Sequence, residues 1–196
     1  MGTRRTNAER SEETWAALVA AARALFTERG YGATPTKAIV ERARVTQGAL
    51  YYHFKDKADL FYAVYTEIEG VMMQAVMRSM VEAESDEWQR ILSAIDTFLD
   101  LCTAPDIQRV IYVDGPAVLN SAVPNPTGLT LIHQSLELLQ ERGYIAAQPL
   151  GSLARLWLGA LVEGAFYIVQ AADRPTAKAE VKHSIERLLN GLRIAP

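Results

Sequence analysis

Apolar residues recur with the 3.6-residue period of an amphipathic helix along almost the whole chain, and alternation of period two is absent. Trp15, Leu18, Val19, Ala22, Leu25 and Phe26 share one face of a helix that the pattern opens at Ser11 and Gly30 ends, with Tyr31 placed to fold back on Phe26. Two short helices follow. Thr34 caps the first, with Pro35 at its first position, and Ala38, Ile39 and Ala43 form its apolar side. Arg44-Val45 makes a turn, Thr46 supplies a second cap hydroxyl, and Gln47 to Tyr52 forms the second helix with Leu50 facing inward. Asp56 and Asp59 form an N-cap and third-position pair for a long helix running to about Glu82, striped by Leu60, Phe61, Val64, Ile68, Val71, Met72, Ala75 and Met80. Ser85-Asp86-Glu87 opens the next helix. Pro105 starts another, interrupted by Gly115-Pro116, where Asp114-Gly115-Pro116 reads as a turn, and Asn120 to Gly128 reads as a loop. Leu129 to Arg142 is amphipathic and closed by Gly143-Tyr144, Leu150 to Ala172 is long and apolar on most sides, and Pro175 to Gly191 is the last helix. The pattern predicts nine helices and an all-α fold.

The polar half of residues 34–60 carries the first functional signal. On the second short helix Thr46, Gln47, Gly48, Tyr51, Tyr52 and His53 are left to face outward or lie at its end. Small residues at the N-terminus let a backbone approach DNA and offer N–H groups to phosphate, while the tyrosine hydroxyls and the His53 imidazole can donate to flanking phosphates.

These residues give the chain its resemblance to the tetracycline-repressor (TetR-like) family of bacterial one-component regulators. The matching positions are Phe26, Gly30-Tyr31, Ala33-Thr34, Ile39, Ala43, Val45, Leu50-Tyr51, His53-Phe54, Lys57 and Leu60, over roughly the first third of the chain. One position departs: the family usually has glycine where this chain has Arg44, and a non-glycine residue in a left-handed conformation costs about 1 kcal/mol. Arg44 also adds a cation near the expected DNA face. The resemblance implies a three-helix helix-turn-helix domain over residues 1–55 and a helical ligand-binding and dimerisation domain over residues 56–196. The candidate DNA-binding residues are Thr34, Thr36, Lys37, Arg44, Thr46, Gln47, Gly48, Tyr51, Tyr52, His53 and Lys57.

The charge distribution agrees with this division. The formal charge is −3 overall, yet residues 1–57 carry ten Lys/Arg against six Asp/Glu, leaving the remainder at −7. A basic head on an acidic body is the asymmetry expected when one end meets phosphate. Arg4, Arg5 and Arg10 sit in a polar arm, Thr3 to Arg10, that either tracks a DNA backbone or has no role. The single cysteine, Cys102, excludes an intrachain disulfide and fits a reducing compartment. No signal peptide is visible, and the most apolar stretch, Leu156 to Ala172, is interrupted by Glu163 and Gln170, so the expectation is a cytoplasmic protein.

The last two long helices carry more apolar surface than one chain readily hides, and the small residues among them permit close helix approach. Two such helices from each of two chains would form a four-helix homodimer interface, with Gly159, Gly164, Ile168, Val181, Ile185 and Leu188 as candidates; the other reading is that this pair is the core of a single chain. Dimerisation would place two reading helices on a palindrome. A common C-terminal subgroup of the same family is resembled by residues 107–120 and 153–175, which implies a ligand cavity between the long central helices. Its candidate lining is Met72, Met73, Met77, Phe98, Cys102, Tyr112, Trp157, Leu161, Phe166 and Tyr167, although a Met or aromatic stripe is also what plain core looks like. Glu163 either faces solvent, pairs with a cation such as Arg155, or reads a ligand's polar group.

Enzymatic chemistry finds no support. His53, His133 and His183 are far apart, the His133/Glu137 spacing reads as an exposed helix pair, and no Gly-rich phosphate loop appears; no cofactor or metal is implied. Two functions remain. One is a repressor released from a palindromic operator by a small, largely apolar effector, with the long fourth helix as a lever between domains. The other is a DNA-binding regulator or architectural protein without a small ligand, gated by a protein partner. A closed, apolar, partly polar-lined cavity in the C-terminal domain favours the first, and a solid core there favours the second.

Overall fold

A computed structural model describes residues 6–83, 86–119 and 126–194. Among these the chain forms α1 (Asn7–Arg29), α2 (Thr36–Ala43), α3 (Gln47–His53), α4 (Lys57–Glu82), α5 (Glu87–Leu101), a π-helical segment (Ile107–Asp114) running into α6 (Gly115–Val118), then α7 (Pro126–Glu141), α8 (Leu150–Gln170) and α9 (Arg174–Asn190). The only strand-like pairing among the described residues is an isolated bridge between Ile145 and Arg193.

Two compact units result: residues 1–69 with 105–122, and residues 70–104 with 123–196. This packing division falls inside α4, not at the 55/56 boundary read from the sequence, because α4's first turns bury Leu60, Phe61 and Val64 completely. In the first unit these side chains join Leu18, Ala22, Phe26, Ile39 and Leu50, all with no exposed surface. Phe26, Tyr31 and Phe61 pack ring to ring at centroid distances of 5.2–5.7 Å, so Tyr31 does fold back on Phe26.

Several helix ends differ from their expected places. Thr6, not Ser11, caps α1: its hydroxyl accepts from the Glu9 N–H at 3.2 Å while the Glu9 carboxylate accepts from the Thr6 N–H at 2.6 Å, a reciprocal box. Arg10 therefore lies in α1 and not in an arm; Arg4 and Arg5 lie outside the described residues, as do Ser85 and residues 120–125 of the expected loop. Pro126 to Gly128, read as loop, are the first turn of α7. Gly115-Pro116 does not interrupt its helix. Asp114 and Gly115 keep right-handed helical angles, and the Gly115 N–H reaches back five residues to the Val110 carbonyl. The wider π turn gives the ring of Pro116 room that an α turn would deny it.

In the second unit Trp88 stacks on Tyr144, and the Arg193 guanidinium lies 4.9 Å from the Trp88 ring. Lys182 meets Asp96 at 2.7 Å and Lys178 meets Asp100, tying α9 to α5. α8 is long and apolar enough to cross a membrane by length and composition alone; here it packs against α7 and α9. Gly164 allows that approach, since a Cβ there would lie 2.7 Å from Val181 Cγ1.

Candidate nucleic-acid interface

The helix-turn-helix is built around a turn that bends the chain by a left-handed residue. Arg44 has φ 57° and ψ 40°, and beyond it the Val45 N–H closes on the Val40 carbonyl at 3.0 Å. Thr46 then caps α3, its hydroxyl accepting from the Ala49 N–H at 3.1 Å. α3 buries only Leu50. Its other side is open: Thr46, Gln47 and Gly48 are exposed, Tyr51 is 53% and Tyr52 79% exposed, and His53 is half-buried with its ring edge-on to Tyr52 at 5.1 Å.

Around this surface stand the exposed cations Lys37 and Arg44, together with Lys55, which the sequence reading did not select. The Gln47 amide donates to the Thr36 hydroxyl at 3.2 Å, linking α3 to the first turn of α2. That bond uses one amide hydrogen of an exposed side chain and leaves the Gln47 carbonyl and the second hydrogen without a partner among the described residues. The arrangement offers exposed donors, acceptors and positive charge on and beside α3, the chemistry needed to meet phosphates and base edges.

Two expected members do not belong to this surface. Thr34 has no exposed area; its hydroxyl donates toward the Gly30 carbonyl at 2.8 Å and the Leu25 carbonyl at 3.3 Å. It pins the end of α1, and Pro35, not Thr34, stands at the α2 cap position. Lys57 is turned inward, donating to the Tyr31 and Thr34 carbonyls at 2.9 and 3.1 Å with its ammonium 4.0 Å from the Tyr31 ring centroid. Burial lowers its pKa. Both side chains shape the head from inside.

The head is braced by residues with no signal in the local pattern. Arg23 on α1 donates to Glu67 at 2.9 Å and, through Nε, to Asp106 at 3.1 Å. Burial pushes the Asp106 carboxyl up, but the Arg23 hydrogen bond and the Ile107 N–H outweigh it and hold it below the ordinary range. The Asp114 carboxylate accepts from the Tyr31 N–H and from Arg109 Nε. Arg109 in turn lies over Gly30, whose φ of +79° and missing Cβ make room for the guanidinium.

In the second unit an open pocket of about 380 Å³ is lined by Met77, Thr127, Thr130, Leu131 and Gln134. Of the expected ligand-lining residues only Met77 borders it. Met72, Met73, Phe98, Cys102 and Trp157 are buried in the second unit, Leu161 and Phe166 are partly buried there, and Tyr112 is buried in the first unit. Tyr167 is 54% exposed and donates to Glu180 at 2.9 Å, so it faces outward and does not line a closed hole. Glu163 is exposed. Among the expected interface residues Gly164, Ile168 and Ile185 are buried within the chain, Gly164 against Val181 and Ile185 of α9, which takes them off any face open to a second copy. Gly159 and Leu188 are exposed and Val181 is partly so. No cluster of His, Cys, Asp or Glu among the described residues is arranged to hold a metal ion, and His133 meets Glu137 at 3.5 Å as an exposed helix pair.

An N-terminal helix-turn-helix with an exposed reading helix, followed by an all-helical body, defines a bacterial one-component transcriptional regulator by class. Two family models match it: one described as "Bacterial regulatory proteins, tetR family" over residues 18–64, and one as "Tetracyclin repressor-like, C-terminal domain" over residues 88–192. The chain belongs to the TetR family. Among its relatives, the transposon Tn10 TetC protein of Escherichia coli is 35% identical over 92 residues, covering 47% of this chain and 46% of that protein. The transcriptional repressor BepR of Brucella suis is 35% identical over 113 residues, covering 56% and 52%. The chain thus spans about half the length of these curated relatives in the aligned regions. A crystal structure of a TetR-family regulator from Pectobacterium atrosepticum is 35% identical with a TM-score of 0.88, covering 98% of this chain and 100% of that one.

Proposed function

We propose that the protein is a cytoplasmic transcriptional repressor. It binds a palindromic DNA operator as a homodimer and is released by a small, largely apolar effector. The observation that carries this reading is the side-chain division of α3, with Leu50 in the core and Gln47, Gly48, Tyr51 and Tyr52 outside. Residues 1–55 supply the DNA contacts, from Thr36, Lys37, Arg44, Thr46, Gln47, Gly48, Tyr51, Tyr52 and His53. The exposed apolar positions Leu156, Tyr167 and Leu188 on α8 and α9, with Gly159, supply the face for a second copy. A monomer would leave these side chains in water and present a single short reading helix, which binds weakly.

The Brucella suis relative carries the name of a repressor, which supports repression as the mode of action. The effector acts by binding the DNA-free form more tightly, with α4 as the lever; equal affinity for both forms would shift nothing. The test is selection of duplexes from a random pool by the purified chain, followed by light scattering of the free and bound protein. Enrichment of a two-fold symmetric site by a dimer supports the reading. Enrichment of no sequence, or a monomer at micromolar concentration, contradicts it.

A further inference from the structure

Gln47 on the outer side of α3 and Thr36 in the first turn of α2 stand 11 positions apart and share one hydrogen bond, the Gln47 amide donating to the Thr36 hydroxyl oxygen at 3.2 Å. A hydroxyl can donate while it accepts. The Thr36 hydrogen has no acceptor among the described residues, and the next residue, Lys37, is exposed. In the free protein the hydroxyl can therefore turn to serve either end of the Gln47 amide, accepting from its nitrogen or donating to its oxygen. Against DNA that choice is lost. Phosphate oxygens only accept, so a Thr36 hydroxyl engaged with the backbone of the duplex gives its hydrogen there and offers Gln47 nothing but lone pairs.

We propose that Thr36 is a positioning residue for base readout: its hydroxyl, held by a backbone phosphate, fixes the Gln47 amide with the nitrogen toward α2 and so sets Gln47 to read adenine. The proposal deepens the operator-binding reading above and rests on it. With one N–H turned to Thr36, the side chain presents one acceptor, its carbonyl oxygen, beside one donor, its second N–H. The adenine edge in the major groove is the complement of that pair, a 6-amino donor beside the N7 acceptor. Guanine offers two acceptors, N7 and O6, and would set the Gln47 oxygen against O6. A flipped amide presents two N–H groups instead and suits guanine, so the direction of one hydroxyl decides between two purines. Thr36 touches no base in this arrangement. Its effect on sequence passes through Gln47 alone.

The test is selection of duplexes from a random pool by the full chain as wild type, Gln47→Ala, Thr36→Val, Thr36→Ala and Thr36→Ser. The readout is the base pair at the position whose preference Gln47→Ala abolishes. Wild type is expected to show A·T there, favoured over G·C about tenfold or more. Thr36→Val keeps the side chain's shape without its hydroxyl, and Thr36→Ala removes both. Each should cut that ratio to within about twofold while preferences at the other positions stay as in wild type. Thr36→Ser returns the hydroxyl and should return the A·T preference. A G·C pair at the Gln47-dependent position, no such position at all, or an A·T preference that survives loss of the hydroxyl overturns the proposal and leaves a sequence-specific regulator standing. An equal loss of preference at every position in the Thr36 variants overturns it too, since the whole head and not one amide would then be disturbed. Should wild type enrich no sequence, the operator reading falls and this assignment with it.

Discussion

The Asp114 carboxylate accepts a hydrogen bond from the Tyr31 backbone N–H at 2.8 Å, joining two residues 83 positions apart. Tyr31 is the residue at which the chain leaves α1 for the helix-turn-helix, so this bond and the adjoining Arg109 ion pair fasten the π-helical segment to the root of the DNA-binding head. Removing the acceptor leaves a partly buried N–H without a partner. Asp114→Ala is expected to lower the unfolding free energy by about 1–3 kcal/mol in urea titrations. A change within about 0.5 kcal/mol would mean that water replaces the carboxylate without loss.

Thr34 offers a separate check on the interior of the head. Its hydroxyl serves two carbonyls at the end of α1 and has no surface for DNA. Thr34→Val should therefore destabilise the fold by about 1–3 kcal/mol, yet leave DNA affinity per folded molecule unchanged well below the melting point. A specific loss of DNA binding without a loss of stability would return Thr34 to the interface.

The amphipathic periods made the helices legible, and the small set of turn residues made the head legible, because both are local. Gly30, Thr46 and the Arg44 turn act within a few positions of themselves. What sequence could not supply were pairings set by the fold. Asp106 and Asp114 meet Arg23 and Tyr31 across 83 residues, and no spacing rule reaches that far. The same holds for Lys57: a lysine in the first turn of a helix beside a basic head reads as a phosphate ligand, and only the fold reveals two carbonyls waiting for it. Gly164 and Ile185 looked like intersubunit contacts because small and apolar residues serve both kinds of helix packing.

Arg44 holds a left-handed backbone that glycine adopts without strain. Arg44→Gly is expected to stabilise the protein by about 1 kcal/mol, raising the midpoint of thermal unfolding by several degrees. It also removes an exposed cation beside α3. DNA affinity should then fall alike on all sequences, and the slope of its logarithm against log salt should shrink by about 1. An unchanged slope would place Arg44 away from the phosphates.

The Asp106 carboxyl gives a pH-dependent prediction. Its pKa is depressed in the folded protein, where the Arg23 bond and the Ile107 N–H outweigh the effect of burial. A depressed carboxylate contributes stability above its ordinary value of 3.8 and loses that contribution as pH falls through the folded value. Asp106→Asn should be less stable than wild type at neutral pH, with the gap closing as the medium is acidified below that range. Parallel stability curves over the same range would contradict the assignment.

A sequence-specific regulator of this fold needs the outer face of α3 to read base pairs. The most direct measurement is fluorescence anisotropy of wild type and Gln47→Ala on a selected duplex and on its scrambled counterpart. The structure leaves the Gln47 carbonyl and one amide hydrogen free for a base edge, so Gln47→Ala should lose about tenfold on the selected duplex and nothing on the scrambled one. An equal loss on both duplexes, or no preference of the wild type for either, would contradict the claim.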